Sequence, residues 1–161
     1  MRERLHLDMP AEDIERAVVD AMIERYRTEG PPTIDDAVAV VRRISSKHPV
    51  GLASSAHPAV IAAALGALEL NGEFAVVVSS DEVEHGKPAP DVYLEAARRL
   101  GVRPSGCLVV EDSLNGVKAA KAAGMTVVLV PNASIPPAPG TAELADLVLP
   151  DLTQLDPTAV P

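Results

Sequence analysis

Cysteine is nearly absent: Cys107 stands alone in 161 residues. No intrachain disulfide can form and no cysteine cluster can bind zinc, so the composition fits a reducing, cytoplasmic setting. Aromatic residues are almost as scarce, at 2%, with no tryptophan and a single phenylalanine, Phe74. The core must therefore be aliphatic, and the stacking platforms used to grip single-stranded nucleic acids are missing. Positive charge is also in short supply. Fourteen Lys and Arg face 23 Asp and Glu, for a formal net charge of −9, and such a surface repels the backbone of DNA or RNA. A small anion would have to be held locally, by a few cations and backbone N–H groups. No apolar run approaches the roughly 18 residues of a membrane span, and the start, MRERLHLDMPAEDIERAV, has no apolar signal-peptide segment. The expectation is a chain with no membrane span and no nucleic-acid partner.

What is present, 47% hydrophobic residues, suffices for a domain with a buried core. Ile14, Val18 and Met22 recur every four residues, between Pro10 and Gly30, and predict an amphipathic helix. After the Gly30-Pro31-Pro32 break, Thr33 and Asp36 have the spacing of a capping box, and Ile34, Val38 and Val41 continue one face of a second helix. Residues 1–47 thus read as a helical pair packed face to face, without chemistry of its own. From Pro49 the pattern changes. The runs PVGLASS, FAVVVSS, CLVVED and MTVVLV, and a weaker DLVLP, alternate with helical segments at Pro58–Leu70, Ala89–Leu100 and Leu114–Ala123, the last two closed by Gly101 and Gly124. Continuous apolar runs suit strands buried on both faces, and strand–helix alternation predicts an α/β fold with a parallel, Rossmann-like sheet flanked by helices. The proline-rich stretch Ile135 to Gly140 reads as a stiff surface connection.

Ligands of open parallel sheets bind beyond the carboxyl ends of the strands, so the residues closing each run carry the functional interest. The first run closes on Ser54-Ser55-Ala56-His57-Pro58, a strand passing straight into a helix whose free N–H groups suit an anion. The second leads to Gly86-Lys87-Pro88-Ala89-Pro90-Asp91, a rigid loop that holds a compact positive charge near the sheet edge. The third closes on Glu111-Asp112-Ser113, adjacent acids whose hard oxygens suit Mg²⁺. Each alone has a plainer reading: a capped helix start, a solvated loop lysine, and an N-cap at Asp112 or Ser113 beside a solvated Glu111.

Their order and spacing add what each lacks alone. LASSA, GKPAPDVY and VVEDSLNGVKAAKAAGM resemble the second, third and fourth motifs of the haloacid dehalogenase-like superfamily, over roughly Pro49 to Pro150. The resemblance implies that an aspartate attacks phosphorus, that Mg²⁺ neutralises the developing charge, and that a phospho-aspartyl intermediate is hydrolysed or passed on. Carried over residue by residue, it implies that Ser54 and the backbone N–H groups of Ser55 and Ala56 grip the phosphoryl group. Lys87 would bridge nucleophile and phosphate charges, Asp112 would ligate Mg²⁺, and Glu111 would support that ligand set directly or through water. Residues 1–47 resemble the end of a helical cap, with residues 48–161 the core. His57 and Pro58 receive no chemistry.

The superfamily's first motif, a strand ending in D-x-D-x-T/V that supplies the nucleophile, is absent from the 161 residues; Leu7-Asp8-Met9-Pro10 has one acid and no preceding strand. In the family fold that strand lies between those ending at Ser54 and Glu111. The chain is therefore expected to lack its central strand, to expose strand edges there, and to be inactive as it stands, most simply as a truncated chain. Within the family, the acidic pair favours a Mg²⁺-dependent phosphatase or phosphomutase over a metal-free dehalogenase, and a phosphatase acting on a small phosphorylated metabolite is the expected activity. A beta-phosphoglucomutase-like phosphomutase and a non-catalytic remnant that binds phosphate or a partner are the alternatives.

Overall fold

Each of the five apolar runs forms a strand in a computed structural model that describes residues 9–34, 36–156 and 158. In chain order the elements are α1 (Ala11–Glu29), α2 (Ala37–Ser45), β1 (Gly51–Ser54), α3 (Pro58–Ala67), β2 (Val76–Ser79), α4 (Asp91–Leu100), β3 (Leu108–Glu111), α5 (Leu114–Ala122), β4 (Thr126–Leu129) and β5 (Leu147–Val148). Leu7 and Asp8 lie outside the described residues. All strand pairs are parallel, and they form two separate sheets, β1–β2 and β3–β4–β5. Register aligns the strand ends: Ser54 lies opposite Ser79, and Glu111 opposite Leu129.

Val127, Val128 and Leu129 of β4 are wholly buried, which places the apolar interior of the larger sheet at this strand. Val127 and Leu129 pack with Val92 and Ala96 of α4 and with Val117 and Ala120 of α5. On the opposite face, Val128 and Val130 meet Val40 of α2 and Leu155. With aromatics scarce, the helices approach through alanine and valine, each buried valine or leucine contributing about 1.5–3 kcal/mol. Gly101 and Gly124 stop α4 and α5 in the left-handed region, at φ 71° and 73°, where glycine carries no steric penalty.

The two N-terminal helices depart from the expected pair. α1 has no buried residue and lies along α3, while α2 packs into the second core cluster. The stripe that meets α3 is Val19, Ile23 and Tyr26, each half-buried, whereas Val18 and Met22 are exposed. α1 carries two apolar stripes a single residue apart, and spacing alone does not say which of them finds a partner. The capping box at Thr33 does not form either. α2 begins after Asp36, which sits at φ 62° and makes no side-chain cap.

Candidate functional site

Lys87 occupies the space where the two sheets face each other. Its Nζ donates to Ala53 O of β1 at 3.2 Å, to Tyr93 Oη at 2.9 Å, and to Glu111 Oε1 at the end of β3 at 2.5 Å. The ammonium also lies over the Tyr93 ring, 4.7 Å from its centre, where the ring's negative face attracts a cation. All three ammonium protons are thus engaged. The ion pair is deep, with Lys87 and Glu111 side chains only 9% and 8% exposed, so loss of either partner would strand a buried charge. The solvated-loop reading of Lys87 does not hold.

Glu111 is as fully occupied as its partner. Oε1 accepts from Lys87 and, at 2.5 Å, from Tyr93 Oη. Oε2 accepts from the N–H groups of Asp112 and Ser113 and from Ser113 Oγ, at 3.0–3.3 Å. Burial pushes the Glu111 carboxyl up, but the Lys87 charge and the hydrogen bonds from Lys87, Tyr93 and Ser113 prevail and hold it below the usual carboxylate value. The Tyr93 hydroxyl shifts far upward, through burial and the neighbouring Glu111 charge. The carboxylate also lies against the backbone of α5: a Cβ at Gly116 would sit 1.9 Å from Glu111 Cδ. Only glycine fits there.

The Ser54 loop is set for an anion in part. Ser54 Oγ accepts from Ala56 N–H at 3.1 Å, which leaves the hydroxyl proton free to donate but engages one of the two expected backbone donors. Ser55 N–H donates to nothing among the described residues. α3 opens with His57 as N-cap, its Nδ1 accepting from Ala59 N–H at 3.2 Å, and with Pro58 in the first turn. Ser79 Oγ donates to Ala56 O at 2.7 Å and so fastens the loop to the end of β2.

Ser113, not Asp112, caps α5, accepting from Gly116 N–H at 3.1 Å. Asp112 is therefore left exposed at the mouth of the site, its carboxylate without a hydrogen bond among the described residues. No group of three or more His, Cys, Asp or Glu side chains gathers among those residues. A free Asp112 beside a saturated Glu111 fits Mg²⁺, which keeps most of its water and takes one or two carboxylates together with substrate phosphate oxygens.

Ser54, Lys87, Glu111 and Asp112 all stand at the carboxyl ends of the strands or just beyond them, where the sequence places them. Sequence reasoning missed Tyr93, Gly116 and Ser79. A glycine inside a helix costs roughly 1 kcal/mol against alanine, so Gly116 was a legible sign of close approach. A hydroxyl closing a run of three valines was the corresponding sign for Ser79.

A family model for haloacid dehalogenase-like hydrolases matches residues 3–124. Among curated relatives, a bifunctional riboflavin kinase/FMN phosphatase of Arabidopsis thaliana is 52% identical over 85 residues, covering 52% of this chain and 22% of the relative. Hexitol phosphatase B of Escherichia coli is 36% identical over 124 residues, covering 77% of this chain and 54% of the relative. The chain thus spans about half, or less, of the length of these curated relatives. Among solved structures, CbbY from Rhodobacter sphaeroides in complex with phosphate superimposes with a TM-score of 0.75 at 29% identity, over 92% of this chain and 67% of that one. A beta-phosphoglucomutase from Clostridium difficile gives 0.68 at 26% identity, over 91% and 61%. The motifs, the parallel α/β fold and the matching model agree, and the chain belongs to the haloacid dehalogenase-like hydrolases.

Proposed function

We propose that these residues form the phosphoryl-binding part of a Mg²⁺-dependent phosphatase that acts on a small phosphorylated metabolite, such as a sugar phosphate, in the cytoplasm. The observation that carries the reading is Lys87, a buried cation held between the end of β1 and Glu111 of β3. Surface lysines are not built this way, and a cation so placed neutralises charge that gathers between the two strand ends. Ser54 Oγ–H and Ser55 N–H would hold phosphoryl oxygens. Lys87 would exchange its longest bond, to Ala53 O at 3.2 Å, for a phosphate oxygen, while Glu111 and Tyr93 keep the ammonium in place. Asp112 would hold Mg²⁺, with Glu111 acting through the backbone and Ser113 and not as a direct ligand. When bound, the ion supplies charge neutralisation at the phosphoryl group.

The attacking aspartate would come from a strand seated between β1 and β3 that the 161 residues do not contain. In this reading α1 belongs to a cap over the site, and the 161 residues alone do not turn over substrate. Similar proteins include hexitol phosphatase B, in line with a sugar- or polyol-phosphate substrate. Likeness to a beta-phosphoglucomutase supports a phosphomutase as the alternative; the absence of D-x-D-x-T/V supports a non-catalytic phosphate-binding module.

The test begins by reading the coding DNA ahead of Met1 for an in-frame apolar run ending in Asp-x-Asp, then assaying the protein that includes it. Mg²⁺-dependent release of inorganic phosphate from sugar phosphates is expected, and Lys87→Met and Asp112→Ala should each lower turnover by about a hundredfold or more. Transfer of phosphate to a second hydroxyl without release would select the mutase. Full turnover in both variants would overturn the assignment, and binding without turnover would leave the module.

A further inference from the structure

Ser79, the last residue of β2, is wholly buried, and the phosphoryl-binding roles proposed above do not include it. Its bonding leaves the hydroxyl no freedom. Ser79 Oγ accepts from Asp81 N–H at 3.1 Å, so its single proton goes to Ala56 O at 2.7 Å. Its own N–H donates to Glu82 Oε1 at 2.8 Å and closes a capping box over the turn Ser80–Glu82. Glu82 is held in turn by Arg99 Nη2 at 2.9 Å. The Ser79 backbone and the Arg99 guanidinium together keep the Glu82 carboxyl below its usual value.

The consequence lies one peptide further along the loop. In a trans peptide the C=O and the following N–H point in opposite directions, and the bond between Ala56 and His57 is not among the cis bonds of the chain. With Ala56 O drawn inward to Ser79, His57 N–H is turned outward, and no acceptor takes it among the described residues. The neighbouring donors are spoken for: Ala56 N–H by Ser54 Oγ and Ala59 N–H by the His57 ring. Pro58 has no N–H at all.

We propose that Ser79 is a positioning residue for the phosphoryl-binding loop 54–57: by holding the Ala56 carbonyl inward it sets the His57 N–H as a second outward backbone donor beside Ser55 N–H. It touches no substrate and acts through the loop alone. This rests on the phosphoryl-binding reading above and adds to it a donor, and a buried residue that aims it. Loss of the hydroxyl lets the Ala56–His57 peptide rotate, so the loop meets a phosphoryl oxygen with one donor misdirected. Charge-assisted hydrogen bonds of this kind are worth enough that about a tenfold loss of affinity is expected.

The experiment titrates the 161-residue chain with inorganic phosphate by calorimetry, beside thermal unfolding of the same samples. Ser79→Ala should bind about tenfold more weakly, and Ser79→Thr, which restores the hydroxyl, should recover most of the loss. Val78→Ala, at a buried neighbour that pairs with Ala53 outside loop 54–57, controls for instability and should keep wild-type affinity. If Ser79→Ala binds as tightly as wild type, or Val78→Ala loses as much, Ser79 is merely structural while the phosphoryl reading stands. If the unaltered chain binds no phosphate, that reading falls and this one with it. Should Ser79→Ala not fold, Glu82→Ala, which removes the acceptor of the Ser79 N–H from its partly exposed side, is expected to weaken binding about threefold; unchanged affinity there would overturn the proposal.

Discussion

β4 and β3 are neighbours in one sheet, yet they differ in what they bury and in what they carry. Residues 127–129 of β4 are wholly buried and bear no polar side chain, whereas Val110 of β3 is 39% exposed and the strand ends on Glu111. β1, the other strand that ends at the site, resembles β3: Gly51 is exposed and Leu52 to Ser54 are half-buried. The most complete apolar burial therefore falls in one strand, and the polar cluster stands at the ends of two open-edged ones. Apolar packing reaches both site strands, since Ala53 and Val109 share one core cluster with Leu129, but at the strand ends the connection is a buried ion pair with its hydrogen bonds, and Lys87 is the residue that reaches both edges.

The change expected to have the largest effect strikes that polar arrangement through a residue with no side chain. Gly116→Ala places a methyl group 1.9–2.1 Å from the Glu111 carboxylate, and the carboxylate, already bound to five donors, has nowhere to go without losing them. Overpacking together with a displaced buried charge predicts a stability loss on the order of 5 kcal/mol, measured by urea unfolding, with loss of phosphate binding. A Gly116→Ala chain as stable as wild type would mean that Glu111 is free to leave its position, and the contrast between the two strands would fail.

Leu129→Ala acts on the other side of the comparison. It removes the largest fully buried side chain among the described residues, with an expected cost of about 3 kcal/mol, while the Lys87–Glu111 pair is left in place. The folded fraction should then bind inorganic phosphate as wild type does. Calorimetry at a temperature well below the unfolding midpoint checks this, and parallel loss of affinity would show that the site depends on β4 packing after all.

Much of this contrast was legible in the sequence, for reasons that differ by element. The five strands were readable because buried strands need uninterrupted apolar runs, and α4 and α5 because Gly101 and Gly124 punctuate them. The placement of Ser54, Lys87, Glu111 and Asp112 at or just beyond strand ends was readable because each apolar run closes beside them. Less accessible was anything decided by a partner distant in sequence. The stripe of α1 that packs depends on α3, which the spacing of α1 does not encode, and Asp36 starts α2 without the capping box that Thr33 suggested. Tyr93 was hidden for the same reason. Only the fold brings its hydroxyl to a carboxylate 18 residues away, so in sequence it reads as an ordinary helix residue after Pro90.

The smallest expected effect belongs to the far edge of the same sheet, where an acid performs a structural task. Asp146 accepts from Lys121 Nζ at 2.7 and 2.9 Å and from Val127 N–H at 2.8 Å, and its own N–H donates to Val127 O at 2.9 Å, fastening β5 to β4. The Lys121 bond, and then the Val127 N–H, hold the Asp146 carboxyl below its ordinary value against a small opposing effect of burial. A carboxyl depressed by folding stabilises the native state above its unfolded pKa, and that contribution disappears as pH falls through the lower, folded value. Both side chains are more than a third exposed, so water screens the pair and Asp146→Asn should cost only about 1 kcal/mol or less at pH 7. Urea unfolding of both chains across the acid range checks the sign. The gap between them should close as Asp146 becomes protonated. A gap that stayed constant would assign the effect to lost hydrogen-bond geometry at the β4–β5 edge and not to charge.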